Sequence, residues 1–165
     1  MENDSNPHKH TGPIEIGKTP RSDRRIPTFV HRITILELKV ESELRRVRQA
    51  YISYQAQRRR NAVFDYLTAV FDIVARWNRE QRLQQSLQQA RKMPSHVVRT
   101  STSDAYTNVI AFTSDPQKTD SKARSKWARA LRWAEATKSK GETLAEFVQR
   151  NGGINECAAS AKFKK

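Results

Sequence analysis

Four side chains near the carboxyl end of the sequence fall on one line of a predicted helix, where they could together hold a polyanion. With residues 121–138 taken as helical, at about 100° per residue, Lys122, Lys126, Arg129 and Trp133 follow one another along one side. Three cations in this order can neutralise phosphates, and an indole beside them can stack on a base or a sugar edge. The alternative is that Trp133 packs under a neighbouring helix while the lysines keep the surface solvated.

The excess positive charge of the chain is concentrated around this line. The 165 residues include 31 Lys and Arg against 17 Asp and Glu, a formal net charge of +14. Residues 118–140 hold eight basic and two acidic side chains, a net charge of +6, and residues 28–60 hold eight and three, a net charge of +5. Like charges at this density repel one another, so each block requires solvent, counterions or a polyanionic partner. We therefore predict a protein that binds the phosphate backbone of nucleic acid.

Two short helices are predicted after the basic helix. Residues 143–146 have the capping-box pattern that opens a helix, Gly152 and Gly153 supply a tight turn, and a second helix begins near Ile154. Two short helices joined by a glycine-containing turn are typical of helix-turn-helix DNA-binding units, although any small three-helix domain has the same pattern. The predicted nucleic-acid-binding residues are Lys122, Lys126, Arg129, Arg132, Trp133, Asn155 and Lys162.

Catalytic and nucleotide-binding functions are not supported. Gly12–Thr19 matches the phosphate-binding loop pattern G-x-x-x-x-G-K-T, but no apolar strand precedes it and no apolar periodicity continues it as a helix. The four histidines and the single Cys157 do not form a metal-ligand set. The sequence therefore predicts a non-enzymatic protein that uses no nucleotide, metal or other cofactor.

The elements that must position these residues are predicted to be helical. Residues 29–92 contain neither Gly nor Pro and are rich in Leu, Glu, Gln, Arg and Ala, which favours helix. Two apolar repeats run through this stretch, and their phases differ, so one straight helix cannot bury both against one surface. The stretch is therefore either one long helix with two partners or a helical hairpin that reverses near residues 55–61. The first repeat comprises Ile33, Val40, Leu44, Val47, Tyr51 and Tyr54, and the second comprises Val63, Leu67, Val70, Val74 and Trp77.

The chain divides into four parts at changes of composition. Residues 1–27 hold four prolines and almost no apolar side chains, which predicts a disordered arm. The long helix or hairpin occupies residues 28–92. Residues 93–117 are predicted to be a linker, in which the β-branched and aromatic run at 106–113 indicates one extended segment. Residues 118–165 form the basic helical unit, so the expected fold is all-α.

The amino-acid composition is compatible with only a few classes of function. One cysteine excludes a disulfide framework and points to a reducing, cytoplasmic compartment, and no apolar run is long enough to span a membrane. The favoured function is DNA binding through residues 118–165, with helices 29–92 as a packing or homodimerisation module. The alternative is a helical adaptor or coiled coil that binds a partner protein through residues 29–92. An RNA chaperone-like protein that prefers single strands has the same sequence features as the favoured function.

Overall fold

The described part of the chain consists of seven helices and their connections. A computed structural model describes residues 28–57, 59, 61–93 and 104–161, with side chains described from residue 35 onward. These residues contain no strand, so the predicted all-α class is confirmed for them. The helices are α1 (Thr28–Ala56), α2 (Ala62–Arg79), α3 (Leu83–Lys92), α4 (Ala105–Thr113), α5 (Ser121–Thr137), α6 (Leu144–Arg150) and α7 (Ile154–Ser160).

Some of the predictions fall outside this part of the chain. The disordered arm at 1–27, the phosphate-loop-like motif within it and the binding residue Lys162 lie outside the described residues. Residues 29–92, for which the sequence left one long helix or a hairpin open, contain three helices.

The two predicted apolar repeats lie where α1 and α2 pack against each other. Of the side chains that the structure describes, four in each repeat are buried and one in each, Tyr54 and Val63, is half-buried. The rings of Tyr51 on α1 and Tyr66 on α2 meet edge to face, with their centroids 5.2 Å apart. The apolar side of α1 is therefore covered by helices of its own chain.

A break at residues 80–82 separates α2 from α3. Gln81 adopts a φ of +53°, which ends α2. The following Arg82 donates to both carboxylate oxygens of Glu43, at 2.8 and 3.0 Å, and Trp77 Nε1 donates to the same carboxylate at 2.8 Å. The side chains of Arg82 and Glu43 are only 9% and 8% exposed. The break thus places Arg82 where it forms a buried ion pair with Glu43, and this pair links α1 to the start of α3.

Residues 106–113 are helical, and the prediction of an extended segment there is wrong. Asp104 caps α4 by accepting a hydrogen bond from the Thr107 backbone N–H at 2.9 Å. Every residue of α4 except Thr107 is buried. Protein surrounds α4 on nearly all sides, so both apolar side chains and the polar Asn108 and Thr113 are buried. The sequence therefore lacks the one-sided helical periodicity that would distinguish it from a strand.

The carboxyl-terminal helices begin and end close to the predicted residues. Asp120 caps α5 by accepting from the Ala123 backbone N–H at 2.5 Å, and Thr143 and Glu146 form the predicted capping box of α6. One side of α5 is buried, and Trp127 within it meets Tyr66 edge to face, with ring centroids 5.8 Å apart. This aromatic contact fixes the position of α5 relative to the amino-terminal helices.

Candidate nucleic-acid interface

Three of the predicted binding residues meet in a cleft between α5 and α7. Lys126 and Arg129 lie about one turn apart on α5, and Asn155 lies in the first turn of α7. Together with Ala158 and Ala159 they line a cleft of about 200 Å³. No carboxylate of the described residues contributes to the lining. We refer to this site as the cationic cleft.

The two cations of the cationic cleft have no carboxylate partner in the part of the chain that the structure describes. Neither Lys126 nor Arg129 forms an ion pair with any described residue. Arg129 is half-buried, and its Nε is buried without a hydrogen-bond acceptor in the described part of the chain. A guanidinium presents several donors in a planar fork that matches phosphate oxygens. The cleft can therefore accept an anion from outside the chain.

The packing of α7 on α5 creates the cleft. Gly152 and Gly153 have φ values of +79° and +101°, a conformation that other residues rarely adopt, and they turn the chain so that α7 lies along α5. Cys157 and Ala158 are buried in this contact at 0% and 2% exposure. Small side chains let the two helices approach, and the longer Lys126 and Arg129 side chains then stand beside the alanines of α7.

Sequence reasoning did not identify the two alanines as part of the site. Ala158 is buried at 2% exposure and Ala159 is half-buried, and both line the cationic cleft. The sequence feature that could have indicated them is the pair of small residues itself, because small side chains leave space beside long cationic side chains on a neighbouring helix.

The other predicted cations have different surroundings. Lys122 is exposed near the start of α5 and lies outside the cleft lining. Arg132 is also outside the lining, and its Nε lies 3.8 Å from Oδ1 of Asp104, the residue that caps α4. Asp104 therefore compensates part of the charge of Arg132. Lys162 follows α7, beyond the described residues.

Trp133 packs against α6. Its ring centroid lies 5.0 Å from that of Phe147, with the two planes tilted by 51°, and the indole is half-buried. Phe147 is itself 1% exposed and belongs to the core. This contact accounts for the position of Trp133 without any stacking on a base, as in the packing alternative that the sequence left open.

Cys157, the single cysteine, has the environment of a packing residue. It is fully buried, and burial raises the pKa of its thiol above the usual value. A thiol that stays protonated is a poor nucleophile. Among the described residues, no three His, Cys, Asp or Glu side chains converge in a way that could hold a metal ion.

Comparisons of the chain with protein-family models, with curated proteins and with solved structures give no match. Of the helices in the described ranges, none combines the length and the apolar character needed to cross a membrane.

Proposed function

We propose that this protein binds double-stranded DNA without catalysing a reaction, and that α5 and α7 hold the phosphate backbone. The strongest support is the cationic cleft, where Lys126 and Arg129 meet Asn155 with no carboxylate in the lining. Each cation that neutralises a phosphate releases a condensed counterion, which favours binding without regard to base sequence. An amide beside the cations can donate a further hydrogen bond to a phosphate oxygen.

Contacts to phosphates are better supported than contacts to bases. The exposed side chains of α7 are those of Asn155 and Glu156, and Ala159 and Ser160 further along are half-buried. The side chains that read guanine or adenine with two hydrogen bonds are Arg, Lys, Asn and Gln, and α7 contains only one of them. The helix-turn-helix-like unit is therefore expected to position the protein on the backbone, with little sequence preference.

Duplex DNA is favoured over single strands because the described part of the surface has no exposed stacking platform. Proteins that bind single strands place bases on exposed aromatic rings, each of which contributes about 1–3 kcal/mol. No aromatic side chain is exposed among the described residues, and Trp133, the one candidate on the cationic line, is packed against Phe147.

The adaptor alternative loses its main support. It was based on the apolar repeat of α1. Val40, Leu44, Val47 and Tyr51 of this repeat are each at most 5% exposed, and Tyr54 is half-buried against the core. These side chains pack within the core of their own chain. They are therefore not free to form a seam with a partner helix.

The proposal is tested by comparing two variants that lose the same charge. Lys126→Ala with Arg129→Ala removes both cations of the cationic cleft, whereas Arg79→Ala with Lys92→Ala removes two exposed cations from α2 and α3. Fluorescence anisotropy with two unrelated duplexes, a single-stranded DNA and an RNA should show roughly a tenfold loss of duplex affinity for the first variant and little change for the second.

Two results would contradict this function. One is equal duplex affinity of the cleft variant and the wild-type protein. The other is tighter binding of either single strand than of the duplex, which would favour the RNA chaperone-like alternative.

A further inference from the structure

The exposed apolar side chains of the described residues are concentrated on the outer side of α1. The large ones are Ile35, Leu38 and Ile52, at 55%, 63% and 51% exposure. Leu38 and Ile52 are separated by about four helical turns, roughly 21 Å along the axis, and lie on nearly the same side. Leu38 and Ile52 are therefore two exposed apolar positions, well separated along one face of α1.

A groove opens beside the second of these positions. Its volume is about 720 Å³, and it lies between the last turns of α1 and the segment that follows α4. Apolar atoms of Ile52, Ala56, Phe112 and Pro116 contribute to the lining. We refer to it as the α1 groove. It can accept a large aliphatic side chain from a neighbouring molecule.

The charges along α1 change sign between the two ends. Glu37 and Glu41 lie within one turn of Leu38, whereas Arg46 and Arg48 lie within two turns of Ile52. Arg45 is midway between Leu38 and Ile52 and is paired with Glu41. Lys118 and Asp115, from the segment after α4, line the α1 groove together with Arg48, so the lining holds two cations and one carboxylate. One end of this face is thus acidic around an exposed leucine, and the other is basic around a groove.

Two ion pairs within the chain involve charged residues of this part of α1. Lys39 is a cation within the acidic end, and its Nζ lies 2.9 Å from Oε2 of Glu80, which compensates its charge. Glu41 and Arg45 form an exposed ion pair at 2.8 Å, which can exchange for a contact with another molecule at little cost.

We propose that two copies of this chain associate through α1, antiparallel about a two-fold axis near Arg45, so that Leu38 of each copy enters the α1 groove of the other. In this arrangement the acidic end of each α1 faces the basic end of its neighbour, and the contact occurs twice, as two-fold symmetry requires. A parallel arrangement would place all like charges together, whereas in the antiparallel one only Arg45, which is paired with Glu41, lies beside its own copy. A second copy fits better than an unrelated ligand because the exposed leucine and the groove that receives it lie on the same helix.

Dimer formation is independent of the DNA-binding proposal, because α1 and the cationic cleft share no residue. Each copy carries a net charge of +14, so repulsion between copies weakens the dimer at low ionic strength. Measurements should therefore be made at moderate salt.

Disulfide trapping in the full-length protein tests the arrangement. Leu38→Cys and Ile52→Cys are made as separate variants, and the wild-type protein, whose Cys157 is buried, shows the background. Mixing the two variants under mild oxidation should give a mixed disulfide-linked dimer. Each variant alone should give little, because identical positions lie about 21 Å apart across the axis. Arg79→Cys, on the exposed surface of α2, should not cross-link to Leu38→Cys.

Sedimentation equilibrium gives an independent measurement. The wild-type protein should dimerise as its concentration rises, and Leu38→Arg should shift it to monomer, since arginine would meet Arg48 and Lys118 of the other copy. Gln84→Arg adds the same charge at an exposed position on α3 and should leave the dimer intact. Circular dichroism should show native helix content for all variants.

The proposal is overturned by any of three results. These are a wild-type protein that stays monomeric at every concentration, a dimer that survives Leu38→Arg, and disulfides that form mainly within each single-cysteine variant. The last result would indicate a parallel arrangement.

Discussion

The buried ion pair between Glu43 and Arg82 gives the sharpest stability prediction. Arg82→Met keeps most of the side-chain volume and removes the charge, which leaves the Glu43 carboxylate 8% exposed with Trp77 Nε1 as its remaining close donor. Removing one partner of a buried pair typically costs 3–5 kcal/mol, because the other charge stays buried without compensation. Arg76 lies 3.7 Å from the same carboxylate and replaces part of the lost interaction, so we expect about 3 kcal/mol.

A second substitution should restore much of that loss. Glu43→Gln in the Arg82→Met background removes the stranded charge, while the amide oxygen still accepts the hydrogen bond from Trp77. The double variant should therefore be more stable than Arg82→Met alone, by about 1–2 kcal/mol. Urea unfolding followed by circular dichroism measures the free energy of unfolding of all variants under one set of conditions.

The reasoning is refuted if Arg82→Met costs less than about 1 kcal/mol, which is the size of an exposed ion pair. It is equally refuted if the double variant is less stable than Arg82→Met. That outcome would mean that the Glu43 carboxylate stabilises the fold even without its arginine.

Two further predictions concern Glu80 and Trp133. A hydrogen bond from Lys39, and to a smaller extent one from Arg82, lowers the pKa of Glu80 from 4.5 to about 2. Because its pKa is depressed in the folded state, Glu80 stabilises the fold fully above pH 4.5 and loses this effect as the pH falls towards 2. In the Glu80→Gln variant the free energy of unfolding should therefore fall less between pH 4.5 and pH 2 than in the wild-type protein. Trp133→Ala should lower the free energy of unfolding by about 1–3 kcal/mol, less than for a fully buried Trp, and leave duplex affinity unchanged. A large loss of affinity at native stability would instead assign the indole to DNA contact.

The parts of the fold that could be predicted are those that local sequence determines. The capping box at Thr143 and Glu146, the cap at Asp120 and the turn at Gly152 each depend on residues within a few positions of one another. The two apolar repeats identified the buried sides of α1 and α2, because a half-buried helix must repeat its apolar residues at helical spacing.

The parts that were missed depend on contacts between distant residues. Helix α4 lacks helical periodicity because protein surrounds it, and only its Asp104 cap marks it locally. The break before α3 is stabilised by an arginine that reaches Glu43, 39 residues earlier in the chain. No local pattern predicts that contact.

The candidate site was predictable in part for the same reason. Helical spacing placed Lys126 and Arg129 on one side of α5, and the structure brings Asn155 to them. The partner of Arg132, the packing of Trp133 and the two alanines of the cleft depend on how α4, α6 and α7 pack around α5. Spacing along one helix contains no information about these neighbours.

The most direct test of the central claim is the salt dependence of duplex binding by the wild-type protein and by the variant with Lys126→Ala and Arg129→Ala. Each cation that contacts a phosphate contributes about 0.9 to the slope of log affinity against log salt concentration. If the cationic cleft holds the DNA backbone, the slope for the variant should be shallower by about 1.8. Identical slopes for the two proteins, or a wild-type affinity that does not change with salt, would contradict the account.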